Sequence, residues 1–89
     1  MSDDRTTALQ FPCDFPIKVM GLHADDFDAL VIGIVHRHTG PLASGAISVR
    51  ASRGGKYLSV TVTVRAESQA MLDNLYRELS GHERVVMVL

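Results

Sequence analysis

The chain has 89 residues, of which 46% are apolar, and 9 basic against 10 acidic side chains give it a formal net charge of −1. That length suits one domain, and the apolar fraction is too high for a disordered chain. The near-neutral charge excludes bulk attraction to nucleic acid or anionic lipid. Cys13 is the single cysteine, which excludes an internal disulfide and a thiolate metal cluster and fits a reducing compartment.

Residues 1–10 are polar and have no sustained period. We therefore predict a flexible N-terminal tail at 1–10, followed by one domain at 11–89. The first residues lack the basic-then-apolar order of a secretory signal, and the apolar clusters are too short to cross a bilayer. We expect a cytoplasmic protein.

The first strand is predicted at Phe15–Met20, because apolar and polar residues alternate there, and Gly21 is expected to end it. Carboxylates at residues 25–28 then favour a helix start, where they can cap free backbone N–H groups. An apolar stripe follows at helical spacing, and Thr39-Gly40-Pro41 ends the helix. The stripe comprises Phe27, Leu30, Val31, Ile34, Val35 and His38.

The central stretch, residues 46–66, predicts a β-hairpin, because both arms alternate apolar with polar residues around Gly54-Gly55. If these glycines are the central residues of a two-residue primed turn, the turn fixes the register, because the residue numbers of each cross-strand pair must add up to the same value. That register sets Ala51 opposite Leu58, Val49 opposite Val60 and Ile47 opposite Val62. All six apolar residues then share one face, whereas a slip by one residue would separate them.

Residues 67–79 return to helical spacing, and Gly81 is expected to close this second helix. Val85–Leu89 is predicted as a last strand that is apolar on both faces. Its outward side carries either Val86 and Val88 or Val85, Met87 and Leu89.

The order β-α-β-β-α-β predicts an α+β, ferredoxin-like sandwich: a four-stranded antiparallel sheet with two helices on one face. The first and third strands are central, and the second and fourth are edges. The floor of the core is expected to comprise Ile17, Val19, Val60, Val62 and Val64. The other face, here called the open face, is expected to carry Lys18, Met20, Ser48, Arg50, Ser52, Tyr57, Ser59, Thr61, Thr63 and Arg65.

A last strand that is apolar on both faces is a pairing hazard at a sheet edge unless something covers it. We expect the cover to be either Leu9 and Phe11 or a second subunit, so a homodimer through the sheet edge or the open face is predicted. The expected contact residues are Met20, Val86, Met87, Val88 and Leu89.

With its elements placed, the sequence resembles the YbeD-like family, small bacterial proteins of unassigned function, over residues 9–89. The resemblance is carried by Phe11-Pro12, Phe15, Lys18-Val19-Met20-Gly21, His36-Arg37-His38, Ser52, Gly55-Lys56-Tyr57, Ser59-Val60, Leu75-Tyr76, Glu78-Leu79 and Val86-Met87-Val88-Leu89. It implies a fold like that of the ACT regulatory domains, a regulatory role loosely linked to lipoate or amino-acid metabolism, and no catalytic residue.

An ACT-like fold draws attention to Gly21, Leu22 and His23, because a glycine lets a ligand approach the backbone and the following helix start offers free N–H groups. The three aspartates at 25, 26 and 28 oppose an anion there, and an ordinary turn is the alternative reading. His36 and His38 point apart on a helix, so they cannot share a metal ion. We expect no cofactor and no metal site.

The sequence therefore predicts a non-enzymatic regulatory or interaction module that binds an unknown protein or a small metabolite. No nucleophile and base stand at a useful spacing. The alternative is RNA binding on the open face, as in RNA recognition domains, which stack bases on aromatic side chains. Tyr57 is the one aromatic expected on that face, so nucleic acid is a poor fit, and no membrane partner is expected.

Overall fold

The computed structural model describes residues 9–89, and the tail predicted at 1–10 therefore lies outside the described residues except for Leu9 and Gln10. Six elements follow in the predicted order. They are β1 (Cys13–Leu22), α1 (Phe27–Thr39), β2 (Ile47–Ala51), β3 (Tyr57–Ala66), α2 (Gln69–Gly81) and β4 (Val85–Val88). Neither helix is long and apolar enough to cross a membrane, within the part of the chain that the structure describes.

The four strands form one antiparallel sheet in the order β2-β3-β1-β4. β1 and β3 are central and β2 and β4 are the edges, as predicted. Both helices bury their apolar stripes in the same core as the sheet. The ferredoxin-like α+β fold is thereby confirmed.

The core lies between the helices and the two central strands. All five residues predicted for its floor have no solvent exposure. Above them lie Phe27, Val31, Ile34 and Val35 of α1 and Leu72, Leu75 and Leu79 of α2. Phe11 packs against this core while Leu9 is 40% exposed, so only Phe11 is drawn into the domain.

The hairpin has the predicted register, with Ala51 opposite Leu58, Val49 opposite Val60 and Ile47 opposite Val62. Its turn differs from the predicted one. The Gly55 N–H donates to the Ser52 carbonyl at 2.8 Å, and Gly54 and Gly55 have φ of 85° and 77°. A positive φ at the third residue of a four-residue turn is the type II arrangement. The register survives because Ser52 still pairs with Tyr57 through its backbone N–H.

The prediction that β1 spans Phe15–Met20 and ends at Gly21 was wrong. β1 pairs with β3 over ten residues, from Cys13 opposite Ala66 to Leu22 opposite Tyr57. Gly21 lies within the strand and is buried, because the Phe27 ring packs against its α-carbon.

β4 follows neither of the two predicted alternations. Val88 lies opposite Val19, Met87 opposite Met20 and Val85 opposite Gly21, so the register shifts by one residue at a β-bulge. Val85 and Val88 therefore both pack against the core, whereas Val86, Met87 and Leu89 are exposed. A bulge breaks period-2 alternation by adding one unpaired residue, Val86 here.

Candidate functional site

The residues predicted to bind a ligand, Gly21, Leu22 and His23, lie at the end of β1. A Cβ at Gly21 would overlap the Phe27 ring and the Arg84 carbonyl oxygen. The His23 N–H donates to the Lys56 carbonyl at 2.9 Å, and its Nδ1 lies 3.0 Å from the Gly55 carbonyl oxygen. Gly21 and His23 thus hold α1 and the hairpin turn in place, and a ligand role for these residues stays a prediction.

Leu22 instead belongs to an exposed apolar corner. Leu22 and Val86 line one depression of ≈ 200 Å³ together with Arg84. Met87 lies opposite Met20, and Leu89 exchanges two backbone hydrogen bonds with Lys18. Exposed fractions are 57% for Leu22, 59% for Val86, 45% for Met87 and 63% for Leu89. We call these four residues the β4 corner. It contains three of the five predicted contact residues, with Met20 half-buried beneath them and Val88 turned to the core.

Arg84 fastens the start of β4 to the start of α1. Its Nη2 donates to Asp26 Oδ1 at 2.7 Å and its Nη1 to Asp26 Oδ2 at 3.0 Å. Its guanidinium carbon lies 6.0 Å from the centre of the Phe27 ring. The hydrogen bond from Arg84 holds the pKa of Asp26 below its ordinary value. Asp26, at the N-cap, makes no side-chain cap hydrogen bond, contrary to expectation, because both oxygens of its carboxylate accept hydrogen bonds from Arg84.

The two helices are joined by a second charged cluster. Glu78 of α2 accepts a hydrogen bond from Arg37 and lies 2.7 Å from His38 Nε2. The His38 hydrogen bond, with the charge of Arg37, lowers the pKa of Glu78. Among residues 9–89 no group of three His, Cys, Asp or Glu side chains is placed to hold a metal ion.

Edge strand β2 carries a surface that the sequence pattern did not reveal. All five residues of β2 are exposed, including Ile47 at 36% and Val49 at 45%. Their partners Val62 and Val60 are fully buried. The apolar side of β2 therefore extends beyond the helix layer, although it lies on the same face of the sheet as the core.

The open face is polar and basic at its centre. Lys18, Thr61 and Ser48 lie side by side on three neighbouring strands, and so do Met20, Ser59 and Arg50. Tyr57 lies at the end of β3 with Lys56 Nζ 5.5 Å from its ring centre. The other tyrosine, Tyr76, packs edge-on against Phe15. Within residues 9–89 the face therefore offers a single aromatic ring, as expected.

A broader depression of ≈ 530 Å³ lies where the α1–β2 connection passes the ends of β1 and β3. Its lining includes Leu42, Gly45 and Thr63 and the pair formed by Arg65 and Asp14, whose Nη1 and Oδ1 are 3.3 Å apart. These two charges offset each other, so this depression offers a ligand little electrostatic selectivity.

Comparison with known proteins gives one family. A model described as a protein of unknown function (DUF493) matches residues 6–89. A UPF0250 protein of Janthinobacterium sp. is 49% identical over 87 residues, covering 98% of this chain and 96% of that protein. A UPF0250 protein of Chromobacterium violaceum is 43% identical over the full length of both. The solution structure of protein HP0495 from H. pylori superposes with a TM-score of 0.77 at 17% identity, over 100% of this chain and 93% of that one. At that identity the likeness concerns the fold alone.

Proposed function

We propose that this chain, which belongs to the DUF493 family of proteins of unknown function, is a non-enzymatic regulatory or interaction module that pairs with a second copy of itself along β2. The family assignment confirms the resemblance to the YbeD-like proteins and fits an uncharacterised role. The observation that carries the proposal is the exposure of Ile47 and Val49 on an edge strand.

The outer edge of β2 offers backbone groups for pairing. The Ser52 N–H donates a hydrogen bond to β3, and the Ala46 carbonyl accepts one from β3. The backbone N–H and C=O groups of the other even-numbered residues, Ser48 and Arg50, therefore also point toward β3. Because backbone direction alternates along a strand, Ile47, Val49 and Ala51 present their N–H and C=O groups outward. Within the described residues, β3 is the only strand that pairs with β2.

The strand is also complementary to itself. In an antiparallel pair centred on Val49, that residue meets Val49 of the second copy and Ile47 meets Ala51. The apolar side chains then bury one another on the helix side. On the open face Arg50 meets Ser48, so no like charges lie directly opposite, an arrangement that favours pairing.

The two edges differ in their protection against pairing. β4 has four residues and a bulge, both of which discourage strand addition. β2 has a regular register throughout and no proline. We therefore assign self-association to β2, and propose that the β4 corner, with Met20, binds another protein through side chains. The predicted contact residues keep a role in this second surface.

Three histidines support a non-enzymatic role by the partners they already have. His23 is bonded to the hairpin turn, His38 to Glu78, and His82 Nδ1 accepts the N–H of Arg84. The His23 and His38 imidazoles each join two segments of the fold, and His82 bonds the backbone of the turn that precedes β4. The link to lipoate or amino-acid metabolism stays a prediction of the family resemblance alone.

The test compares two substitutions at equally exposed apolar residues. Val49 and Met87 are both 45% exposed, so Val49→Lys and Met87→Lys place the same charge at matched sites on opposite edges. Light scattering coupled to size exclusion should give a dimer for the parent chain and for Met87→Lys, and a monomer for Val49→Lys. A parent chain that is monomeric at high concentration, or a dimer lost only in Met87→Lys, would contradict pairing along β2.

A further inference from the structure

We infer that the open face carries a phosphate-binding site. Its donors are two cations, Lys18 and Arg50, and three hydroxyl groups, those of Ser48, Ser59 and Thr61. These five side chains line one shallow depression of ≈ 230 Å³. The inference does not depend on self-association through β2.

Strand register brings these donors together. Thr61 of β3 lies between Lys18 of β1 and Ser48 of β2, and the adjacent Ser59 lies opposite Arg50. Directly paired residues in antiparallel strands are about 5 Å apart at Cα. Same-face neighbours along one strand are about 7 Å apart. One tetrahedral anion can therefore reach donors from all three strands.

The charges of this depression are not balanced from within. Neither Lys18 nor Arg50 makes a salt bridge with any residue from 9 to 89. Among residues 9–89, Asp14 is the acidic residue whose side chain lies on the open face. Its Oδ1 is 3.3 Å from Nη1 of Arg65, with which it is paired. Two cations that line one depression repel each other, and a bound anion offsets that repulsion because it attracts both of them.

The types of donor favour phosphate. A guanidinium gives two parallel N–H bonds to a phosphate, and an ammonium adds a compact positive charge. Each hydroxyl rotates to donate one further hydrogen bond. A set of donors converging from three strands matches the several acceptor oxygens of a tetrahedral oxyanion better than the two oxygens of a carboxylate.

The adjoining surface indicates what the phosphate is attached to. A second depression of ≈ 160 Å³ shares Lys18, Arg50 and Ser59 with the first and adds the apolar side chains of Met20 and Tyr57. A phosphate ester with a flat apolar group, such as a nucleoside monophosphate, would span both. The same phosphate chemistry is present in single-stranded RNA, so the source must be separated by experiment.

The experiment is a titration of the ¹⁵N-labelled chain, followed by amide chemical shifts. The probes are inorganic phosphate, adenosine 5′-monophosphate, adenosine, and a single-stranded oligoadenylate. We expect saturable shifts centred on Lys18, Arg50 and Thr61 with phosphate and the monophosphate, and none with adenosine. If the oligonucleotide binds more tightly per phosphate than the monophosphate, and this difference disappears at high salt, the site is assigned to RNA phosphate. Equal affinity per phosphate assigns the site to a free ester.

Lys18→Gln and Arg50→Gln should each weaken binding about tenfold, because a hydrogen bond to a charged group contributes at least that much. Arg77→Gln on α2 is the matched control, since it removes one charge far from the open face. The affinity of this variant for phosphate should equal that of the parent chain. Shifts that never saturate, or equal weakening by all three glutamine substitutions, would overturn the site.

Discussion

Gly21 shows how one residue acquired two different interpretations. Its sequence context, after an alternating strand and before a helix start, is typical of a turn that lets a ligand approach the backbone. The space beside it is instead filled by the Phe27 ring and the Arg84 carbonyl oxygen. Glycine is required at this position by packing between β1, α1 and the start of β4, and a packing requirement of that range leaves no local signal in the sequence.

Gly21→Ala should therefore destabilise the fold, by about 1–3 kcal/mol, because the added methyl group meets a ring and a backbone atom that cannot both move away. Gly33→Ala is the matched control. Gly33 lies in α1, where an added Cβ would meet no atom within 4 Å beyond the backbone of its own helix and its chain neighbours, so the same change should stabilise the chain by roughly 0.5–1 kcal/mol. Urea unfolding followed by circular dichroism measures both. Equal effects of the two substitutions would show that the Gly21 contact is not tight.

At the scale of elements, two ion pairs join segments that are distant in sequence. Asp26 and Arg84 connect α1 to β4, and Glu78 connects α2 to Arg37 and His38 of α1. The sequence predicted a capping role for the first carboxylate, since helix N-termini favour acidic residues. It gave no indication that Arg84, 58 residues away, would compete for it, because partners of that separation are set by the topology.

These pairs make stability depend on pH in a defined direction. The folded-state pKa values of Asp26 and Glu78 are lowered from 3.8 and 4.5. Their contributions are therefore fully present above those ordinary values and are lost as the pH falls through the lowered ones. We expect the urea midpoint of the parent chain to fall as the pH drops from 6 to 2, and to fall less in Asp26→Asn and in Glu78→Gln.

Matched neutral substitutions identify the source of this pH dependence. Asp73→Asn removes a carboxylate that accepts a hydrogen bond from Gln69 and makes no ion pair in the described part of the chain. Its midpoint should follow the parent curve. If Asp26→Asn also runs parallel to the parent, the pair with Arg84 contributes nothing measurable to stability, as exposed ion pairs often do.

At the scale of the whole molecule, the pairing of the strands was easier to predict than which strand residues the helices cover. The register of the hairpin follows from the alternation of its own two arms, and the strand order follows from the sequence of elements. Whether Ile47 and Val49 are buried depends on how far two helices reach across four strands, which no short segment encodes. The bulge that turns both Val85 and Val88 to the core was equally hidden, because Val85–Val88 is apolar at every position.

The arrangement proposed for the dimer predicts one specific cross-link. In a pair centred on Val49, the two copies of that residue form a hydrogen-bonded pair with Cα atoms about 5.5 Å apart, within the range that a disulfide spans. In a Cys13→Ala background, Val49→Cys should form a covalent dimer in a glutathione redox buffer. Ile47→Cys is the control from the same edge. Its partner in this register is Ala51, so two copies of residue 47 lie about 14 Å apart and should stay unlinked. Cross-linking at 47 but not at 49 would require a different register, and cross-linking through Met87→Cys alone would move the interface to the β4 corner.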